Sequence, residues 1–241
     1  GLILRKGYVD DPQILMGAIG DATCDRVPLQ IGNFESDNRI DENLEAIFLE
    51  GGGGGSSEES YELAMYFMAK HTYIDCYEKR GKRGYLFIIG DENFYPAVRR
   101  THIEQVIGDD PPQADIPTEE IIAAVKERYD VYLLRPEGGS YHRGETTGDR
   151  IIESWQSVLG QNVIHLDDDS AVCETIALII GLGEGAIDDL DEGLEHLREV
   201  GAGDVVETVG KALATVGSKS GAVAVSEAPE GLSGDDSVER L

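Results

Sequence analysis

Three short stretches place oxygen-bearing side chains beside backbone that turns easily. Gly51-Gly-Gly-Gly-Gly55 runs into Ser56-Ser57-Glu58-Glu59-Ser60. Gly90-Asp91-Glu92 follows the apolar run Tyr85–Ile89, and Asp21-Ala-Thr-Cys-Asp25-Arg26 follows Ile14–Ile19. Carboxylates and hydroxyls are the donors that hard cations such as Mg²⁺ and Mn²⁺ take, usually with several waters retained. The candidate metal ligands are therefore Asp91, Ser56 and Ser57. Asp21 and Glu92 are candidate outer donors, acting through water. Each also has a plainer role: Asp91 can cap the segment that follows it, and turn chemistry accounts equally well for Asp21 and Asp25.

A glycine run ahead of a helix also suits a phosphate. The phosphate-cradling loop, however, continues Gly-Lys-Ser/Thr, and here the next charged residues are Glu58 and Glu59. A nucleotide- or phosphate-binding α/β enzyme built on Gly51–Gly55 is the alternative reading, and ATP binding discriminates it. Ser56 and Glu59 have the spacing of a capping box, which predicts a helix opening there. Gly138-Gly-Ser-Tyr-His142 holds an isolated histidine with no nucleophile spaced for catalysis, so a solvated loop is expected. Asp167-Asp-Asp-Ser170 reads as a strand end followed by a helix N-cap. Lys79–Arg83 reads as a solvated basic turn. Cys24, Cys76 and Cys173 lack the spacing of a zinc site or a disulfide framework and read as buried free thiols.

These groups need elements to position them. Ile14–Ile19 and Val27–Phe34 are strand candidates separated by a few turn residues, a spacing that permits a hairpin but no parallel crossover. Ile40–Leu49 has helical spacing, and Glu58–His71 is apolar nearly all round, which predicts a largely buried helix. Tyr85–Ile89 is a continuous apolar run, the pattern of a central strand covered on both faces. Beyond it come a helix at Ile116–Tyr129, a strand at Val131–Leu134, a polar loop at Pro136–Gly148, a helix at Ile151–Leu159, a strand at Asn162–Leu166 and a helix at Ser170–Ile180. This alternation predicts an α/β fold: Rossmann-like, doubly wound, mostly parallel, with one antiparallel edge strand. Ligands in such sheets sit beyond the carboxyl ends of the strands. That places Gly20–Arg26, Gly51–Ser60, Gly90–Tyr95, Arg135–Gly148 and Leu166–Ser170 on the ligand face.

The chain has 241 residues and a formal net charge of −27. Such a surface repels nucleic acid and anionic membrane and suits cations and basic partners. Acid excess with few lysines is the pattern of a protein from a high-salt cytoplasm, and equally of an ordinary acidic bacterial protein. No run of apolar residues is long enough to cross a membrane, and the expected location is cytoplasmic. Leu2-Ile-Leu-Arg-Lys-Gly7 reads as the end of a helix with a cap glycine, so the chain is expected to begin inside a longer domain. Residues 183–217 read as an acidic helical extension with helices at Ile187–Val200 and Val205–Val216. Residues 218–241 are small and acidic and read as a disordered tail.

The order strand, hairpin strand, helix, glycine loop, helix, strand ending Gly-Asp-Glu resembles a von Willebrand factor A (vWA) domain over residues 1–182. Glu50-Gly-Gly-Gly-Gly-Gly-Ser-Ser-Glu-Glu-Ser-Tyr-Glu-Leu-Ala64 looks like that family's second metal loop, and Tyr85-Leu-Phe-Ile-Ile-Gly-Asp-Glu92 like its fourth strand and third metal loop. Trp155–Gly181 is similar to the closing helix-strand-helix of its bacterial and archaeal intracellular members. The family's metal-ion-dependent adhesion site uses an Asp-x-Ser-x-Ser motif after the first strand, a Thr in the second loop and an Asp in the third. The resemblance assigns the last two roles to Ser56 or Ser57 and to Asp91, while Asp-x-Ser-x-Ser has no counterpart here. It therefore implies that the first strand is missing, and that the strands at 14–19 and 85–89 flank a gap. It also implies a Mg²⁺- or Mn²⁺-dependent protein-binding module rather than an enzyme, weak or empty in metal without the first strand. Its implied partner is another protein, and AAA-type ATPases are the class that intracellular members serve.

Overall fold

The computed structural model describes residues 2–51 and 55–217, so Gly52–Gly54 and the tail at 218–241 lie outside the described residues. Apolar runs and helical spacings alternate along the chain, and the elements follow them. Helix α1 (Leu2–Lys6) leads to strands β1 (Gly17–Ile19) and β2 (Leu29–Ile31), then α2 (Arg39–Glu45), β3 (Glu58–Glu59), α3 (Tyr61–His71) and α4 (Asp75–Arg80). Next come β4 (Gly84–Ile89), β5 (Asn93–Phe94), β6 (Ala97–Val98), α5 (Arg100–His102) with a π-helical turn at Ile103–Ile107, β7 (Ile116–Pro117) and α6 (Thr118–Lys126). The chain continues through β8 (Tyr129–Pro136), α7 (Thr146–Leu159), β9 (Val163–Leu166), α8 (Val172–Gly183), α9 (Leu190–Glu199) and α10 (Val206–Gly217). Gly7 closes α1 with φ 65°, the left-handed cap expected from the sequence.

The centre is a parallel sheet of order β4-β8-β9, with Leu86 opposite Val131, Ile88 opposite Leu133 and Leu133 opposite Val163. Parallel neighbours require crossovers, and α6 and α7 supply them. Strand β8 divides two cores. Val131 and Leu133 join Met65, Ile121, Val125, Ile151 and Trp155 on the face of α3, α6 and α7. Tyr132 and Leu134 join Leu2, Tyr8, Ile164, Leu178 and Val209 on the face of α1, α8 and α10. The chain is thus a mixed α/β domain with helices on both faces of a parallel sheet, as in the Rossmann-like class. Helices α9 and α10 contribute Leu197, Val209 and Leu213 to the second core. Among the described residues no helix is long and apolar enough to cross a membrane.

Four expectations change. First, β1 and β2 pair antiparallel with each other but are not hydrogen-bonded to the central sheet, so the expected single sheet with an antiparallel edge strand is divided. Second, β4 is not central. It pairs only with β8, and of its residues Ile88 alone is buried while Ile89 is 51% exposed. The apolar run has the composition of a strand covered on both faces, but no described strand is hydrogen-bonded along its outer side. Third, the helix expected from Glu58 opens at Tyr61, because Glu58 and Glu59 pair parallel with Asn93 and Phe94. The Ser56/Glu59 capping box does not form; Ser60 is the N-cap residue, and its hydroxyl accepts from the Ala22 N–H at 2.9 Å. Fourth, the cysteines are free but not buried: Cys24 and Cys173 are exposed and Cys76 is half-buried.

Smaller elements follow their sequence signals. Tyr61–Tyr66 and Met68 are buried, as an all-round apolar helix requires. The Asp168 carboxylate accepts from the Ser170 N–H at 2.9 Å ahead of α8. The basic turn is engaged rather than simply solvated: Lys79 pairs with Asp75, Lys82 with Glu184 and Arg83 with Asp130.

Candidate metal centre

Strand β4 ends at Gly90, whose N–H donates to the Leu134 carbonyl at 3.1 Å. A Cβ at Gly90 would lie 2.0 Å from the buried Tyr61 hydroxyl, so only glycine lets the chain leave the sheet here. Asp91 and Glu92 are thereby delivered to the carboxyl end of the sheet. The Ser56–Glu59 segment is held beside them by the β3–β5 pairing and by the Asn93 N–H on the Ser57 carbonyl, 2.8 Å. The turn after β1 joins the same end, through the Ser60 N–H on the Gly20 carbonyl at 3.2 Å. The segments that carry Asp91, Glu92, Ser56, Ser57 and Asp21 therefore lie at the same end of the sheet.

Their surroundings set their chemistry. Asp21 is 2% exposed. Its carboxylate accepts from the Thr23 N–H at 2.8 Å, the Thr23 hydroxyl at 2.7 Å and the Tyr95 hydroxyl at 3.0 Å. Burial alone would raise its pKa, but these donors outweigh burial and hold it below the usual carboxylate range. Glu92 accepts from the Tyr61 hydroxyl at 3.3 Å, and its carbonyl takes the Trp155 indole N–H at 2.9 Å. Burial, then the neighbouring Asp91, push the Glu92 pKa up.

Sequence reading missed the two acids under most stress. Burial pushes Glu59 up to about 7, and the charges of Glu92, Asp21, Asp25 and Asp91 add to the shift. Its Oε2 atom is buried without a hydrogen-bond partner. Glu62, 1% exposed on the first turn of α3, is pushed up to about 8 by burial, although it accepts from the Tyr95 N–H at 3.2 Å. An acid inside the apolar run Tyr61–Met68 was the available signal for Glu62. Glu59 was legible only as an acid after the glycine run that repels phosphate and suits a cation; the carboxylates that crowd it are remote in sequence.

A strap covers Asp91. The Ser140 and Tyr141 N–H groups both donate to the Asp91 Oδ2 atom, the latter at 2.9 Å. The Tyr141 hydroxyl donates to the Ser56 carbonyl at 3.1 Å. Buried Arg135 donates to the Asp91 carbonyl at 3.0 Å and to the Tyr141 carbonyl at 2.6 Å. Gly139 is forced by this contact, since a Cβ there would lie 2.3 Å from the Asp91 Cγ atom. The segment Gly138–Tyr141, read from sequence as a solvated loop, is therefore packed onto the site, while His142 remains exposed.

The fit to a cation follows from these donors. Among the described residues no three His, Cys, Asp or Glu side chains converge as a ready-made ion cage. The Ser56 hydroxyl donates to the Glu58 carbonyl at 3.3 Å. What the site does hold is a group of carboxylates within electrostatic reach of one another, one with an orphaned oxygen. That donor set matches an ion held by one or two carboxylates and otherwise by water. It is unfavourable for a phosphate, which the same acids would repel. Comparisons of the chain with family models, with curated proteins and with solved structures found no match.

Proposed function

We propose that this chain is a divalent-cation-dependent protein-binding module of the vWA type, not an enzyme. The observation that carries the reading is the crowding of Asp21, Asp25, Glu59, Asp91 and Glu92 at the carboxyl end of a parallel sheet, with the Glu59 Oε2 atom unpartnered. Like charges drawn together in a partly dry site are costly unless a cation or protons neutralise them. Asp91 and Glu59 would hold the ion, Ser56 and Ser57 would meet it through water, and Asp21 and Glu92 would lie in the outer ring. Mg²⁺ or Mn²⁺ would supply an open coordination position to an acidic side chain of another protein. AAA-type ATPases are the partner class that the family resemblance suggests. On this reading β1 and β4 flank the place of the family's first strand, and the Asp-x-Ser-x-Ser ligands it would carry are absent from this chain. Affinity is therefore weak.

The test is Mn²⁺ binding by calorimetry to the chain and to Asp91→Ala. Binding in the range of about 0.1–1 mM is expected, weakened about tenfold by the substitution, the loss of one charged ligand costing roughly 1.4 kcal/mol. Binding unaffected by Asp91→Ala would refute this site.

A further inference from the structure

The strap over Asp91 comes from the closed side of the sheet. It leaves the end of β8, which is hydrogen-bonded along β4, and so approaches from the opposite side of β4 to the gap beside β1. Two glycines let it lie against the acids. A Cβ at Gly138 would sit 2.3 Å from an Asp169 carboxylate oxygen, as one at Gly139 would from Asp91. Neither takes a left-handed φ, so glycine serves close approach here and not a turn. At one end the Gly138 N–H donates to the Asp169 Oδ1 atom at 3.2 Å. At the other the Tyr141 hydroxyl reaches the Ser56 carbonyl, and Arg135 ties the Tyr141 carbonyl to that of Asp91. Beyond the strap the chain turns at Gly144, with φ 89°, toward α7.

An ionised carboxylate oxygen offers about two lone-pair directions. The Ser140 and Tyr141 amides both donate to the Asp91 Oδ2 atom, the second at 2.9 Å, and together they fill them. A hard cation needs the same lone pairs, at about 2.1 Å for Mg²⁺. The closed strap and a cation at Oδ2 therefore exclude each other. We infer that the strap is a lid that competes with the cation for Asp91, so that cation binding frees the Ser140 and Tyr141 amides and uncovers the ion for a partner's acidic side chain. The inference rests on the cation reading of Asp91 proposed above. Apparent cation affinity is then reduced by the fraction of chains whose strap is open. The Tyr141–Ser56 bond helps to hold the strap shut, and loosening it raises that fraction.

The experiment uses the full chain, with Mn²⁺ calorimetry and NMR hydrogen exchange in EDTA and in Mg²⁺. In EDTA the Ser140 and Tyr141 amides should exchange slowly, and saturating Mg²⁺ should speed their exchange about tenfold or more. Tyr141→Phe keeps the ring packed on the core and deletes the tie to Ser56. It should bind Mn²⁺ about three- to tenfold more tightly, the worth of one ordinary hydrogen bond. Two results would overturn the lid and keep the cation site. One is Mg²⁺ that leaves both amides protected. The other is Tyr141→Phe that binds Mn²⁺ no more tightly while Asp91→Ala still weakens binding. Mn²⁺ binding that is the same in the chain and in Asp91→Ala would overturn both the lid and the site.

Discussion

Glu62 shows how a single carboxylate can work against the fold that buries it. Its pKa, raised to about 8 by burial, means that the folded state binds its proton more tightly than the unfolded state does. Between the ordinary glutamate value of about 4.3 and that raised value the folded state holds more protons, so stability falls as pH rises. Glu59, raised to about 7, acts in the same direction over a narrower window. Asp21, held low, acts oppositely and only in acid, where protonation removes its stabilisation. We predict that Glu62→Gln, which keeps an acceptor for the Tyr95 N–H, stabilises the chain by about 2–4 kcal/mol at pH 8 and by little at pH 5. Urea melts at the two pH values check this; an equal effect at both would show that Glu62 is not charged at a cost. The acids of Asp21 and of Gly90-Asp91-Glu92 were legible from residue type and from their place after apolar runs. The Tyr141 strap was legible only as a loop on the ligand face. Its contact with Asp91 joins residues 50 apart, and only the β4–β8 pairing brings them together.

At the scale of elements, continuous apolar runs identified the parallel strands and helical spacing identified the helices that cross between them. Helices α3, α6 and α7 buried the faces their spacing indicated, whereas the helix expected over Ile40–Leu49 stops at Glu45 and leaves Leu44, Phe48 and Leu49 exposed. The composition of β4 did not reveal its open side, because a strand's own residues report how much burial it needs and not which neighbour supplies it; only the family resemblance implied a gap between the strands at 14–19 and 85–89. The same limit hid β3: Glu58 and Glu59 look like a helix opening until Asn93 and Phe94 are beside them. The turn from β4 into the site is tightly specified. With a Cβ at Gly90 only 2.0 Å from the Tyr61 hydroxyl, Gly90→Ala forces apart β4 and the start of α3. A loss of about 1–3 kcal/mol is expected, the usual cost of overpacking. Denaturant melts measure it, and a neutral substitution would mean that Tyr61 is not held where the geometry puts it. Gly51→Ala, with open space around it, is the matched control.

For the molecule as a whole, charge is the governing quantity. A net charge of −27 over 241 residues places acids close together across the surface. Ion pairs such as Lys79–Asp75 and Lys211–Glu207 are exposed and contribute little, so screening them costs little. Self-repulsion is longer-ranged, and salt relieves it. The thermal midpoint should therefore rise between low and molar KCl; an unchanged or lower midpoint would count against a chain adapted to high salt. Screening and site binding are separable, because a cation held by Asp91 acts at millimolar concentration and depends on that residue. The deciding measurement is the thermal midpoint in MgCl₂ against KCl of matched ionic strength, for the chain and for Asp91→Ala. At about ten times the dissociation constant, site binding adds roughly 1.4 kcal/mol, or about 3–6 °C for a domain of this size. The account predicts that excess for the chain and its loss in Asp91→Ala. Midpoints that coincide in the two salts, or an excess that survives the substitution, would contradict a cation site at the end of β4.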